Sequence, residues 1–174
     1  MTRRLLIDGL LKRPVTEPRP PRDDAATTEL AAALNRAARK RLGRSLSIRA
    51  VDAGSCNGCE LELHALNNAF YDLERFGIRF VASPRHADVL VVTGPVTKNM
   101  REALEFTHNA MPDPKWVVAV GDCARDGGIF AQSYAVEGGV SKVVPVDLHI
   151  AGCPPRPVEI MRGLLALLEQ AAAR

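Results

Sequence analysis

Four cysteines, and only four, punctuate a chain of 174 residues: Cys56, Cys59, Cys123 and Cys153. They read Gly54-Ser-Cys-Asn-Gly-Cys-Glu60, Gly121-Asp-Cys-Ala124 and Gly152-Cys-Pro-Pro155. Each falls in a turn marked by glycine or proline, and each turn follows a run with strand character. If the thiols act together, the fold must bring three distant turns to one place. An open parallel sheet does this readily, because the turns leaving the C-terminal ends of its strands share one edge.

The rest of the sequence supports that sheet. From residue 46 onward, strand-like and helix-like segments alternate. Ser47–Ala53, Gly77–Ser83, Asp88–Thr93, Lys115–Val120 and Val143–Ile150 read as strands. The Val-Leu-Val-Val run of the third and the Trp-Val-Val-Ala-Val run of the fourth have the continuous apolar character of strands buried on both faces. Glu60–Leu73, a segment from Thr97 to about Ala110, and Pro157–Ala172 read as helices. Residues 124–141 hold Gly127, Gly128, Gly138 and Gly139 and read as a loop with at most a short helix. Alternation of this kind implies right-handed crossovers and an α/β fold. The expected architecture is a flavodoxin-like open parallel sheet with helices on both faces.

An extended N-terminal arm, residues 1–45, precedes the domain spanning 46–174. Residues 1–12 have the pattern of a short amphipathic segment. Residues 14–22 hold four prolines and read as an extended linker. Residues 25–42 place Leu30, Leu34, Ala38 and Leu42 on one narrow helical stripe. That stripe is expected to dock on another subunit rather than to build a core. Residues 1–50 carry 12 Lys/Arg against 5 Asp/Glu, so the basic character of the chain belongs to this arm. It suits an acidic partner or an anionic surface as well as plain solvation. With 5% aromatic residues, stacking on nucleic-acid bases is not expected. No apolar run approaches the roughly 18 residues of a bilayer span, and no secretory signal is expected at the start. The expected location is cytoplasmic, where cysteines serve metals or catalysis more often than disulfides.

Three readings of the thiols compete. Four unrelated buried cysteines would not all fall in turns after strands. A four-cysteine zinc site normally comes as two knuckles, and only the first pair here has knuckle spacing. The consecutive ferredoxin run is absent as well. One [4Fe–4S] cluster in a pocket at the sheet edge fits best, with Gly54, Gly58, Gly121, Gly127 and Gly152 letting the backbone come close to the sulfurs. Structural zinc stays open as the alternative from another class.

At these residues the sequence resembles a known family, the small electron-transferring subunit shared by complex I (its 20 kDa subunit) and the group 4 [NiFe]-hydrogenases. The matching pieces are Cys56-Asn-Gly-Cys-Glu-Leu-Glu62, Ser83-Pro-Arg-His-Ala-Asp88, Thr93-Gly-Pro-Val-Thr97, Met111-Pro-Asp-Pro114, Gly121-Asp-Cys-Ala124, Gly127-Gly128, Val144-Pro-Val-Asp147 and Gly152-Cys-Pro-Pro155. They follow one another in family order across roughly residues 46–170. Complex I subunits carry two adjacent cysteines at the first position. The Cys56-x-x-Cys59 gap is that of the hydrogenase and formate hydrogenlyase branch. The resemblance implies that Cys56, Cys59, Cys123 and Cys153 hold a proximal [4Fe–4S] cluster. It further implies a large-subunit partner, a ferredoxin-like iron-sulfur subunit, membrane-embedded subunits, and a place on the cytoplasmic face of the inner membrane. The runner-up is the equivalent subunit of a nickel-free, quinone-reducing complex.

Other residues carry two readings each. Glu62 is a proton relay or interface group on one reading and a first-turn partner of the helix dipole on the other. Arg85 is expected to hydrogen-bond the cluster or a partner carboxylate, while His86 reads as turn surface. His64, His108 and His149 read as surface. Asp122 and Asp126 flank Cys123, and Arg156 and the 129–140 loop, with Phe130 and Tyr134, read as interface elements.

Overall fold

The computed structural model describes residues 24–171. The segments expected at residues 1–12 and 14–22 lie outside them. The described residues open with helix α1 (Asp24–Leu42) and strand β1 (Ser47–Asp52), followed by α2 (Gly58–Ala65), β2 (Arg79–Phe80) and β3 (Val89–Thr93). It continues through α3 (Lys98–Asn109), β4 (Trp116–Val120), α4 (Asp122–Asp126), β5 (Leu148–Ile150) and α5 (Pro157–Ala171), with short 3-10 turns between.

The five strands form one sheet in the order β2-β1-β3-β4-β5. Every pairing is parallel. This is the flavodoxin-like order expected from the sequence. The central strands explain why the sheet lies inside: every residue of β3 and of β4 is buried. Successive side chains go to opposite faces. Val89, Val91, Val118 and Val120 pack under α1, α2 and α5 with Leu34, Leu63, Ile160 and Leu164. Leu90, Val92, Val117 and Ala119 pack under α3 and α4 with Leu104 and Ala124. Among the described residues no helix is long and apolar enough to cross a membrane.

Four local expectations change. The α1 stripe does not await an outside cover. Ala31, Leu34 and Ala38 are fully buried in the same core as Ile160, Met161 and Leu168 of α5. The helix expected to reach Leu73 stops at Ala65 because Asn68 Oδ1 accepts the N–H groups of Phe70 and Tyr71. That local turn competes with the helical ladder. The second strand shrinks to Arg79–Phe80 before the chain bends at Pro84. The fifth shrinks to Leu148–Ile150, since Val143 and Val144 close a turn onto the Val140 carbonyl instead.

An ion pair ties the α1–β1 link to β3. Arg44 grips Asp88 with two hydrogen bonds of 3.0 and 2.6 Å, and the Ser47 N–H donates to the same carboxylate at 2.9 Å. The Asp88 side chain is 3% exposed, whereas that of Arg44 is 56% exposed. Removing the guanidinium therefore strands a buried charge. Arg44→Ala is expected to cost about 2 kcal/mol or more, read as a lowered denaturant midpoint. A change within about 0.5 kcal/mol, usual at exposed positions, would show the carboxylate to be hydrated instead.

Candidate metal-cluster site

The four cysteines sit where the strand reading put them. Cys56 and Cys59 follow β1, Cys123 opens α4 directly after β4, and Cys153 follows β5. In a parallel sheet these are the C-terminal strand ends, so all three turns stand on one edge. All four thiols are free. They are also mutual neighbours. The Cys59 thiol is pushed up from 9.0 to about 12 by burial, then by the Glu60 carboxylate, then by charge on Cys56, Cys123 and Cys153. Burial likewise raises Cys123, helped by Cys153 and Cys56, while a hydrogen bond from the Ile129 backbone pulls the other way.

Hydrogen bonds fix each turn. Asp52 Oδ1 accepts the N–H groups of Gly54 and Ser55 at 2.8 and 2.7 Å, which starts the first turn. Ser55 Oγ then accepts the Asn57 N–H at 2.9 Å and donates to Glu60 Oε2 at 2.5 Å. Asn57 takes a left-handed φ of 70°, which lets the chain reverse between the two cysteines. Asp122 joins the other two turns. Its N–H donates to the Gly152 carbonyl at 2.9 Å, and its Oδ1 accepts the Gly152 N–H at 3.2 Å. The segment Thr93–Thr97 buttresses the first turn from below, with the Thr97 N–H on the Ala53 carbonyl at 2.7 Å. Thr97 precedes α3 as expected, but its side chain makes no capping bond.

Space was left around the sulfurs. A Cβ on Gly121 would lie 2.6 Å from Cys59 Sγ, and one on Gly128 would lie 2.9 Å from Cys123 Sγ. Gly58 faces Cys56 Sγ more loosely, at 3.6 Å. Of the five glycines expected to line the site, Gly54, Gly127 and Gly152 pack instead against Thr97, Ala131 and Pro155. Among the described residues no three His, Cys, Asp or Glu side chains gather tightly enough to clasp a single ion. An all-sulfur donor set in a glycine-lined cradle, too open for one ion, fits a cluster of several irons better than one zinc.

The remaining candidates separate. Glu62 lies on α2, near enough to Tyr71 to help burial raise that phenol, which the Arg156 charge lowers. Arg85 lies exposed in the turn Pro84–His86, which feeds the N-terminal end of β3, whereas the cysteine turns leave C-terminal strand ends. Arg156 is held by Glu159, which accepts both its backbone N–H and its guanidinium. Asp126 accepts the Gly128 N–H at 2.9 Å, beside Cys123. Asp52 and Ser55 were not singled out from sequence, and Glu60 was read only as a first-turn partner of the helix dipole. The Asp-Ala-Gly-Ser run at the end of a strand was the available signal, being the pattern of an Asx turn.

The description "NADH ubiquinone oxidoreductase, 20 Kd subunit" matches residues 56–167. The chain belongs to this family. It is 44% identical over 133 residues to a probable membrane-bound hydrogenase subunit, mbhJ, of Pyrococcus furiosus, covering 76% of this chain and 80% of that one. It is 48% identical over 134 residues to formate hydrogenlyase subunit 7 of Escherichia coli, covering 75% of this chain and 52% of the relative, about half its length. Among solved structures, a chain of an archaeal respiratory membrane complex, the membrane-bound sulfane sulfur reductase, matches with a TM-score of 0.65 and 41% identity. That match covers 80% of this chain and 75% of the other. The matched family segment takes in all four cysteines.

In the metal-free chain the site makes a prediction about pH. Burial and neighbouring charge hold the Cys59 proton more tightly in the folded chain than in the unfolded one. That stabilisation is intact below about pH 9 and fades as pH rises toward 12. At pH 8, iodoacetamide is expected to label the exposed Cys56 and Cys153 first and Cys59 last. Peptide mapping of a time course reads the order. Equal rates at all four would contradict the burial of Cys59.

Proposed function

We propose that this chain is the electron-transfer small subunit of a membrane-bound hydrogenase or formate hydrogenlyase-type complex, and that Cys56, Cys59, Cys123 and Cys153 hold one [4Fe–4S] cluster in its 46–174 domain. The observation that carries the proposal is the meeting of four free thiols from three strand-end turns, in a chain whose relatives are hydrogenase and formate hydrogenlyase subunits. When bound, such a cluster supplies a one-electron relay. The chain's own part is to supply four thiolates, keep the Cys59 side dry and aim backbone N–H groups such as that of Ile129 at sulfur.

The partners follow from the exposed side of the site. Cys56 and Cys153 face outward. Leu61, 61% exposed, follows Cys59 by two residues, and Ile129, 83% exposed, places its backbone N–H on the Cys123 thiol. An apolar rim around a redox site is the mark of a surface that another subunit covers. The large subunit of the complex is the proposed cover, with a ferredoxin-like subunit and membrane-embedded subunits completing the assembly on the cytoplasmic face. Residues 1–22 are the proposed reach toward them. Glu62 and Arg156, both close enough to Tyr71 to act on its phenol, are proposed contacts of that cover.

Anaerobic purification of the tagged chain with its partners tests this. The expected result is about four irons and four labile sulfides per chain, together with a nickel-containing large subunit. One zinc and no sulfide would overturn the cluster. The likeness to a chain of a sulfane sulfur reductase keeps a second reading open, the equivalent subunit of a complex that is not a hydrogenase; its large subunit would hold no nickel. Metal analysis of that subunit separates the two.

A further inference from the structure

Ser55 stands immediately before Cys56, and Glu60 immediately after Cys59. A bond between their side chains therefore closes a ring around the first two thiols. That bond is present: Ser55 Oγ donates to Glu60 Oε2 at 2.5 Å while accepting the Asn57 N–H at 2.9 Å. A hydroxyl on a carboxylate at this length is of the stronger, charge-assisted kind. Both ends of the ring are anchored. Asp52 at the end of β1 holds the Ser55 N–H at 2.7 Å, and Glu60 belongs to the first turn of α2. Of the two thiols enclosed, Cys59 is also fixed by its place in the core, whereas Cys56 is exposed.

The same carboxylate bears on Cys59. Burial is the first influence holding that thiol up, and Glu60 is the second, ahead of the three other thiols. Asp122 acts on Cys123 only as the last such influence. Asp122 and Asp126 are moreover each met by Arg125, at 3.3 and 3.0 Å. An ion pair projects the weak field of a dipole, and an unpaired carboxylate projects that of a whole charge. Among the described residues no cation forms an ion pair with Glu60. Arg49 and His64 border the same cavity as Glu60 and leave it unpaired.

We propose that Glu60 is a positioning residue with two separable parts: its oxygen latches the Cys56–Cys59 turn through Ser55, and its negative charge lowers the reduction potential of the cluster those cysteines hold. The inference rests on the function proposed above. An added electron makes a cluster more negative, and a fixed anion beside one of its sulfurs opposes that change. The glutamate thereby biases the relay toward giving its electron up.

The anaerobically purified complex is titrated by EPR against potential, and its iron release to EDTA is timed. Glu60→Gln keeps an acceptor oxygen for Ser55 and removes the charge. It is expected to keep its iron and to shift the reduction equilibrium roughly tenfold toward the reduced cluster, about 59 mV upward. Ser55→Ala keeps the charge and removes the latch. It is expected to release iron roughly tenfold faster, with no rise in potential. Glu102→Gln removes an equal charge from an exposed position on α3 and should leave both readings unchanged. A Glu60→Gln potential equal to that of the wild type overturns the role of the charge. Loss of iron from Glu60→Gln overturns the division into two parts, because its amide oxygen retains the latch. An unchanged release rate in Ser55→Ala overturns the latch, and a rise in its potential matching that of Glu60→Gln means that turn geometry, not charge, sets the potential. If the wild-type complex carries no [4Fe–4S] signal at all, it is the proposed function that fails.

Discussion

Replacing Cys123 with alanine is expected to abolish the [4Fe–4S] EPR signal of the reduced complex. The residue is well placed for a clean result. Cys123 is half-buried, while its neighbour Ala124 carries the packing of α4 under the sheet and is fully buried. Trading a thiol for a methyl group at this point removes a candidate ligand and little of the core. The turn also stays in place through Asp122 and its two hydrogen bonds with Gly152. Loss of signal with unchanged circular dichroism assigns Cys123 as a ligand. A full-intensity signal with the same g values removes it from the set.

The second large effect is expected at a residue that binds nothing. Gly121→Ala places a Cβ 2.6 Å from Cys59 Sγ and 3.4 Å from the Gly152 carbonyl. Gly121 also has φ +93°, a conformation that costs a residue with a Cβ about 1–3 kcal/mol. The sulfur and the turn have to separate, and the expected outcome is loss of most of the bound iron. Gly43 supplies the control. It too has positive φ, at +68°, but nothing lies within 4 Å of its Cβ position. Gly43→Ala should therefore carry a backbone cost alone and keep its full iron. If both variants hold the same iron, the cradle around Cys59 is not what Gly121 provides.

Much of this was legible in the sequence because it depended on short-range pattern. The β-branched runs of β3 and β4 announce strands buried on both faces, and a cysteine in the turn after each of three strands announces one edge. What was not legible depended on long-range partners. The α1 stripe looks too thin for a core until α5, more than a hundred residues later, is laid against it. Asp52 at the end of β1 and Ser55 in the turn after it carry no distinctive motif in the sequence. Their meaning appears when their oxygens are seen to accept three N–H groups of the first ligand turn.

The way the four sulfurs are distributed over the molecule bears on how it matures. Only Cys59 takes part in either hydrophobic core, and the other three stand at or near the surface. Both cores close through aliphatic side chains on the two faces of the sheet, so folding does not depend on metal as it does in a zinc finger. On the proposed function, a folded chain with an open doorway at Cys56 and Cys153 would receive its cluster after synthesis. The covering subunit would then seal it in, and the order of events would be fold, load, dock.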